Sequence, residues 1–288
     1  RTKIFNVTVS DLMKINPNDL SVPPSLSSKD YELLRHIHTM HPTLRSQDES
    51  WNPWGIHYTQ GHINSASASK LFSDLTSENL LDKGASLDQN EHFRLEGQEF
   101  LPLYEGKFIG QVNHRFGTFE GVSIQNRFGT KAKPNYPSES QYANPSYEIK
   151  PRYWLKKKDA LDVFDKKGTN FSWLFSFRDV CRAIVDARTV QACVLPQLPC
   201  VDGGPLLVFE DNPHSSAIAA LFFNALWSSF ILDYSARQKI PGAHLTKAIA
   251  YQLPIPTQKT LKEKFLASTV LDFVGPRSLE LTYVTYSL

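Results

Sequence analysis

The chain has 288 residues, 41% of them hydrophobic and 12% aromatic. That is enough to bury a core as one large domain or two modest ones, and too aromatic for a disordered polypeptide. Its 31 basic and 29 acidic residues leave a net charge of +2, so any affinity for nucleic acid must rest on where the charge sits, not on its sum.

In chain order, Lys3–Val9 reads as a short strand, followed by a Pro- and Ser-rich connector through Asn16-Pro17 and Pro23-Pro24. Lys29–Met40 is predicted helical, with Ser28 as its cap and Tyr31, Leu34, Ile37 and His38 on one face. Trp51–His62, aromatic and punctuated by Gly and Pro, reads as loop and short strand; Ala66–Asp82 carries two helical turns. Phe93–Phe128 alternates enough for two or three strands, with Gly97, Gly106, Gly110 and Gly117 at turns or bulges. The polar stretch Asn126–Pro151 has little periodicity and is expected to be a long surface loop, free to move without a ligand.

Further along, Tyr153–Leu155, Phe171–Phe177, Thr189–Leu195 and Pro205–Glu210 are predicted strands, and Lys158–Phe164 a short helix. His214–Ala236 is the strongest helix, apolar nearly all round and so expected at the centre. Within it the apolar run Ala217–Leu232 is broken by Asn224 and two serines, too short and too polar to span a bilayer, so no membrane partner is expected. Lys259–Ser268 is predicted helical and Leu279–Tyr286 a strand-like tail. The pattern implies an α+β (mixed α/β) fold with an antiparallel component, rich in strands around a central apolar helix. The N-terminus shows no secretion signal, and a start at Arg1 is compatible with a piece of a longer protein. Cys181, Cys193 and Cys200 match no zinc spacing, and an odd count fits a reducing cytosol.

Residues suited to reading bases and phosphates gather in four places. LPLYEGKFIGQVNHRFGTF, residues 101–119, holds Lys107, Gln111, Asn113, His114 and Arg115; YSARQKIPGAHLTKAIAYQLPIP, residues 234–256, holds Arg237, Gln238, Lys239 and His244. Between them Arg152, Lys156 and Lys157 belong to the densest basic cluster, interleaved with Tyr153 and Trp154, and Arg188 with Thr189 opens a strand. Arg takes guanine and Gln adenine through paired hydrogen bonds, while lysines meet phosphates. Arg178, Arg182 and Arg188 flank Asp179 and Asp186, so some of these cations could instead pair inside the fold.

Other chemistries are less well supplied. Glu105-Gly106-Lys107 has the E-x-K spacing of metal-dependent nucleases, with Asp88, Glu96 and Glu99 upstream, but three-residue strings are common. His36, His38 and His41 do not share a helical face well; one solvent-facing and one packed His is the expected outcome, and no metal site is expected. No Gly-x-Ser-x-Gly elbow is present, so no catalytic residue is assigned in this chain.

Taken in order, six segments resemble the target-recognition region of large adenine-specific DNA methyltransferases, as in type IIG restriction–modification enzymes and related phage-defence methylases. They are residues 5–44, 52–72, LPLYEGKFIGQVNHRFGTF, PRYWLKKKDALDVF, WLFSFRDVCRAIVDARTVQACVLP and YSARQKIPGAHLTKAIAYQLPIP. The resemblance implies a cytoplasmic protein whose partners are double-stranded DNA and a methyltransferase domain of the same polypeptide. S-adenosylmethionine would be the cofactor of that parent enzyme, with no cofactor in this chain. It implies a connector over residues 1–92 leading from the catalytic domain, and a DNA target-recognition domain over 93–288.

The family's catalytic Asn-Pro-Pro-aromatic motif has only a poor counterpart, Asn144-Pro145-Ser146-Tyr147, in the polar loop and after no apolar strand. Because the Arg237–His244 segment recurs across enzymes of different specificity, it would grip the DNA backbone or brace the recognition domain. Base selection would then fall to Gln111–Gln125 and Asn126–Pro151. Two alternatives remain at this stage: a protein-interaction region using Trp51–Tyr58, and a metal-dependent nuclease using Glu105 and Lys107.

Overall fold

The computed structural model describes residues 6–24, 27–129, 131–182, 186–209 and 213–288, with the side chains of 213–215 not described. The fold is mixed α+β, as expected. The backbone forms two compact units that do not follow a cut between residues 92 and 93: one gathers 1–56, 179–190 and 209–278, the other 57–178, 191–208 and 279–288.

The first unit is mainly helical. Val9–Ile15 starts where a strand was expected; the beginning of that strand lies outside the described residues. Thr8 caps the helix by accepting from the Asp11 N–H, and the cap outweighs the weak alternation before it. Ser28–Met40 buries Tyr31, Leu34, Ile37 and His38, the face read from the sequence. Its cap is Ser27, one residue earlier than expected, in a reciprocal box with Asp30.

The expected long helix His214–Ala236 is two helices, Pro213–Trp227 and Phe230–Lys239, bent by 72°. Ser228 donates back to the Asn224 carbonyl at 2.7 Å, and Ser229, in extended conformation, caps the second helix at the Leu232 N–H. The serine pair therefore ends one helix and starts the next. Phe222, Phe223 and Trp227 are buried, so the apolar helix is central to its unit. Trp54 packs against Phe222 and Phe223 at 5.5 and 5.1 Å and donates its indole N–H to Pro256 O. Among the described residues no single helix is long and apolar enough to cross a membrane.

At the end of this unit, where a helix over 259–268 was expected, a 3₁₀ turn Gln258–Lys262 leads into the hairpin Lys264–Phe265/Ser268–Thr269. A helix, Val270–Thr282, follows; of the tail expected as strand over 279–286, its first four residues end this helix and the rest is neither helix nor strand. Thr269 and Asp272 cap the helix reciprocally, at 3.1 and 3.2 Å.

The second unit holds two four-stranded sheets. In the first, Ser86–Leu87, Phe93–Leu95, Gln98–Pro102 and Trp154–Lys156 pair antiparallel in that order. The second runs in the order Ile56–Thr59, Leu206–Phe209, Trp173–Phe177, Ala192–Pro196. Lys157–Lys167 leaves the first sheet directly, buries Ala160 and Phe164, and stops at Gly168, whose φ of +65° suits glycine. Leu101, Tyr104, Phe108, Ile109, Phe119, Leu155 and Leu195 belong to one buried cluster.

Only two strands form in Phe93–Phe128, and the stretch after Pro102 is irregular, joined by isolated bridges such as Tyr104↔Cys200 and Thr118↔Asn135. Close backbone crossings fix that path. A Cβ on Gly106 would stand 2.1 Å from Gly203 O, so only glycine fits beneath the crossing chain.

Candidate nucleic-acid interface

The candidate cations divide between the two units and are considered unit by unit. In the second unit, Arg115 is 2% exposed and does not face solvent, contrary to the expectation of a DNA contact. Its Nη1 donates to the carbonyls of Gln141, Asn144 and Tyr147 at 3.5, 3.0 and 3.2 Å, and its Nη2 to those of Tyr142 and Val284 at 3.1 and 3.4 Å. The fork-shaped head that suits bases also suits a curved backbone with unpaired carbonyls. His114 is likewise buried, against Thr285 at 3.3 Å, and burial, aided by Arg115, pushes its pKa down to about 3. It is neutral and sealed from DNA. Asn113 turns its side chain inward to accept the Arg115 N–H at 2.8 Å, and Gln111 is half-buried.

Arg152 makes a two-point ion pair with Glu105, at 2.8 and 2.5 Å, donates to Gly129 O at 2.9 Å and lies 5.2 Å over the Phe119 ring. Both carboxylate oxygens of Glu105 are thereby occupied, so the E-x-K string is not an open metal ligand set. Lys107 gives its ammonium to Ala132 O at 2.8 Å, and burial lowers its pKa. Lys156 and Lys157 are exposed on the helix start, Lys157 pairing with Glu99 at 3.0 Å.

In the first unit Asp233 is the hub. Its buried carboxylate accepts the N–H groups of Thr189 and Val190 at 2.7 and 2.9 Å, and Arg188 and Arg237 approach at 3.4 and 3.6 Å. Arg188 also donates to Ser228 O at 2.6 Å and covers the Phe230 ring at 4.7 Å; Arg237 donates to the carbonyls of Asp186 and Ala187 at 3.0 and 3.1 Å. Thr189 is buried, so its expected phosphate contact is corrected to an anchor on Asp233. Lys239 is 6% exposed, bonded to Asn16 Oδ1 at 2.5 Å and to Ile15 O, and burial brings its pKa down to about 7. It too is a structural residue, not a DNA contact. Gln238 is half-buried, and His244 is exposed with Nδ1 3.0 Å from Asp179.

One recess open in the second unit, polar and about 530 Å³, is lined by Gly121, Val122, Ser123, Asn126, Lys131, Lys133 and Asn135. Its described lining holds two lysines and two carboxamides and no carboxylate. Asn126, Lys131 and Lys133 are exposed, and their side chains have no hydrogen-bond or ion-pair partner among the described residues. None of the three stood among the individual candidates, although the loop around them did. Sequence marks a lysine but not whether a carbonyl has already claimed it.

Two other clusters have structural explanations. Asp88, His92 and Glu99 bring ligand atoms within 4.8 Å of one another. Arg94 spans the two carboxylates at 2.9 and 3.2 Å, and Lys157 adds a second cation, so the charge there is already balanced. In Asn144-Pro145-Ser146-Tyr147 the Asn carboxamide oxygen takes the Ser146 N–H at 3.0 Å, and the Tyr hydroxyl donates to Glu120 at 2.9 Å. His36 is exposed and His38 buried, as expected. The three cysteines are buried and form no disulfide among the described residues. The chain matches no family model, no curated protein and no solved structure.

Proposed function

We propose that this chain is a DNA sequence-recognition module of an S-adenosylmethionine-dependent adenine methyltransferase, holding a duplex for a catalytic domain outside it. The observation that carries this reading is the recess of Asn126, Lys131, Lys133 and Asn135, where two lysines and the Asn126 carboxamide are presented together with no carboxylate in the described lining, Asn135 giving its own Nδ2 to Glu120 O at 2.9 Å. Lysines of that kind position a phosphate backbone, and carboxamides pair with adenine edges. The six ordered segments that resemble the recognition region of such enzymes supply the rest of the reading. Methyl transfer is assigned elsewhere: the residues of Asn144–Tyr147 are tied into their own turn and do not fit a cofactor cradle. The catalytic partner would turn the target adenine out of the stack, the usual route to a base inside a duplex.

Anisotropy titrations of a labelled duplex at about 50 mM salt test the proposal. The chain should bind, and Lys131→Glu with Lys133→Glu should weaken binding at least about tenfold while the melting temperature stays put. Equal affinity in the double variant would remove the recess from the interface; no duplex binding by the parent chain at low salt would remove the function.

A further inference from the structure

Another recess in the same unit has the opposite chemistry to the lysine recess. It measures about 550 Å³, within the range of small-molecule sites. Its described lining includes two carboxylates, Glu91 and Glu148, and no lysine or arginine. Pro102, Ile149, Trp154, Pro196 and Leu198 supply apolar wall and are themselves buried. Tyr286 also lines it and keeps 73% exposure, with its backbone N–H on Pro145 O at 3.0 Å.

Several polar groups of the lining already have partners inside the fold. His92 keeps Nδ1 3.2 Å from Glu99, Gln197 gives its carboxamide nitrogen to Thr169 O at 2.8 Å, and Glu91 holds the Lys150 ammonium. Glu148 is different. It is partly buried, bonded to the Ser287 side chain, and makes no ion pair among the described residues. Burial raises its pKa, against the opposing pull of the Ser287 bond and the Arg115 charge. A carboxylate shielded from water without a counter-charge is costly, and a cation brought against it removes that cost.

A bare metal ion does not suit the place. Calcium and magnesium want six or more oxygens, whereas Glu91 is already neutralised and much of the wall is hydrocarbon. An organic cation matches better. Its head can donate several hydrogen bonds to Glu148 and to the oxygen that Gln197 has left, and its stem can lie along the apolar wall. A flat head also suits the face of the exposed Tyr286 ring.

We infer that this recess is a second binding site, taking a guanidinium cation on an aliphatic stem with Glu148 as its counter-ion. The inference does not rest on the DNA reading: carboxylates repel phosphate, and Lys131 and Lys133 do not line this recess. Such a cation arrives as a free guanidino compound or as an arginine side chain of a partner protein.

Calorimetric titration of the whole chain with agmatine and with acetyl-Gly-Arg-Gly-amide tests the site and its source. At about pH 7.5 agmatine or the tripeptide should bind with a saturating isotherm, and Glu148→Gln should weaken that binding at least about tenfold without lowering the melting temperature. Tyr286→Ala, at an exposed position, should weaken it about two- to fivefold and serves if Glu148→Gln does not fold. Affinity of the parent should fall as pH drops towards about 5, where an ordinary Glu is still mostly ionised, because a protonated Glu148 holds no cation. In Glu148→Gln that fall should largely vanish; Glu91 and His92 are present in both chains, so the comparison isolates one carboxyl. Tighter binding of the tripeptide would identify a protein arginine as the source, and tighter binding of agmatine a free compound. Lys131→Glu with Lys133→Glu should bind the probe as the parent does, whatever becomes of duplex binding. Parent-like affinity in the Glu148 and Tyr286 variants that fold, or no saturable heat with either probe at about 5 mM, would overturn the site.

Discussion

Individual ionisable residues in this protein are more often structural than their types suggest, and two of them make stability depend on pH. Lys239 has its pKa lowered by burial to about 7, from 10.5. Between those values the unfolded chain binds the proton and the folded chain does not, so stability rises with pH from about 7 towards 10.5. His38, whose ring nitrogens have no hydrogen-bond partner among the described residues, is lowered to about 2 from 6.5, burial first and Lys239 second. Its contribution is present above 6.5 and is lost as pH falls from there towards 2. Lys239→Met should flatten the alkaline limb of a denaturant-midpoint profile, and His38→Leu the acid limb. A profile whose slope between pH 7 and 10 is the same in Lys239→Met as in the parent would show that the buried ammonium is not its source.

Asp233 ties three pieces of chain together at the level of elements: it terminates the 186–190 turn, orients Arg188 against Ser228, and meets Arg237 one turn later in its own helix. Asp233→Ala should cost about 3–5 kcal/mol, because two buried N–H groups and two cations lose their acceptor together. Thr269→Ala should cost only about 1 kcal/mol, the usual value of a helix cap. Urea unfolding of the two variants would check the ratio; comparable losses would demote Asp233 to an ordinary cap. These elements also mark what the sequence could and could not disclose. The Ser28–Met40 face was legible because its apolar spacing is unbroken and nothing nearby competes. The Thr269–Asp272 box was equally readable and marks the start of a helix that runs into the first half of the tail expected as strand. Neither the irregular course of 103–119 nor the inward turn of Arg115 has a local signal. Both depend on chain crossings, such as Gly106 beneath Gly203, and on carbonyls supplied from residues 141–147 and 284.

For the molecule as a whole, a net charge of +2 hides a division of labour between two kinds of cation. Arg115, Arg152, Arg188, Arg237 and Lys239 are spent within their own units on carbonyls and carboxylates. Lys131, Lys133, Lys156 and others remain in solvent. Salt acts on these groups differently, since buried pairs are shielded from the ionic atmosphere and exposed lysines are not. Raising salt from about 50 to 200 mM should therefore weaken duplex binding steeply, with a log–log slope of about −0.9 per phosphate contacted. Over the same range the melting temperature should hardly move. Neutralising Lys131 and Lys133 with glutamine should make the binding slope shallower by about two units, again without a thermal shift. Parallel anisotropy and thermal-unfolding series would separate the two populations. If the melting temperature fell in step with affinity, the ion pairs that shape the fold would be the ones exposed to salt, and the lysines of the recess would lose their claim to the backbone.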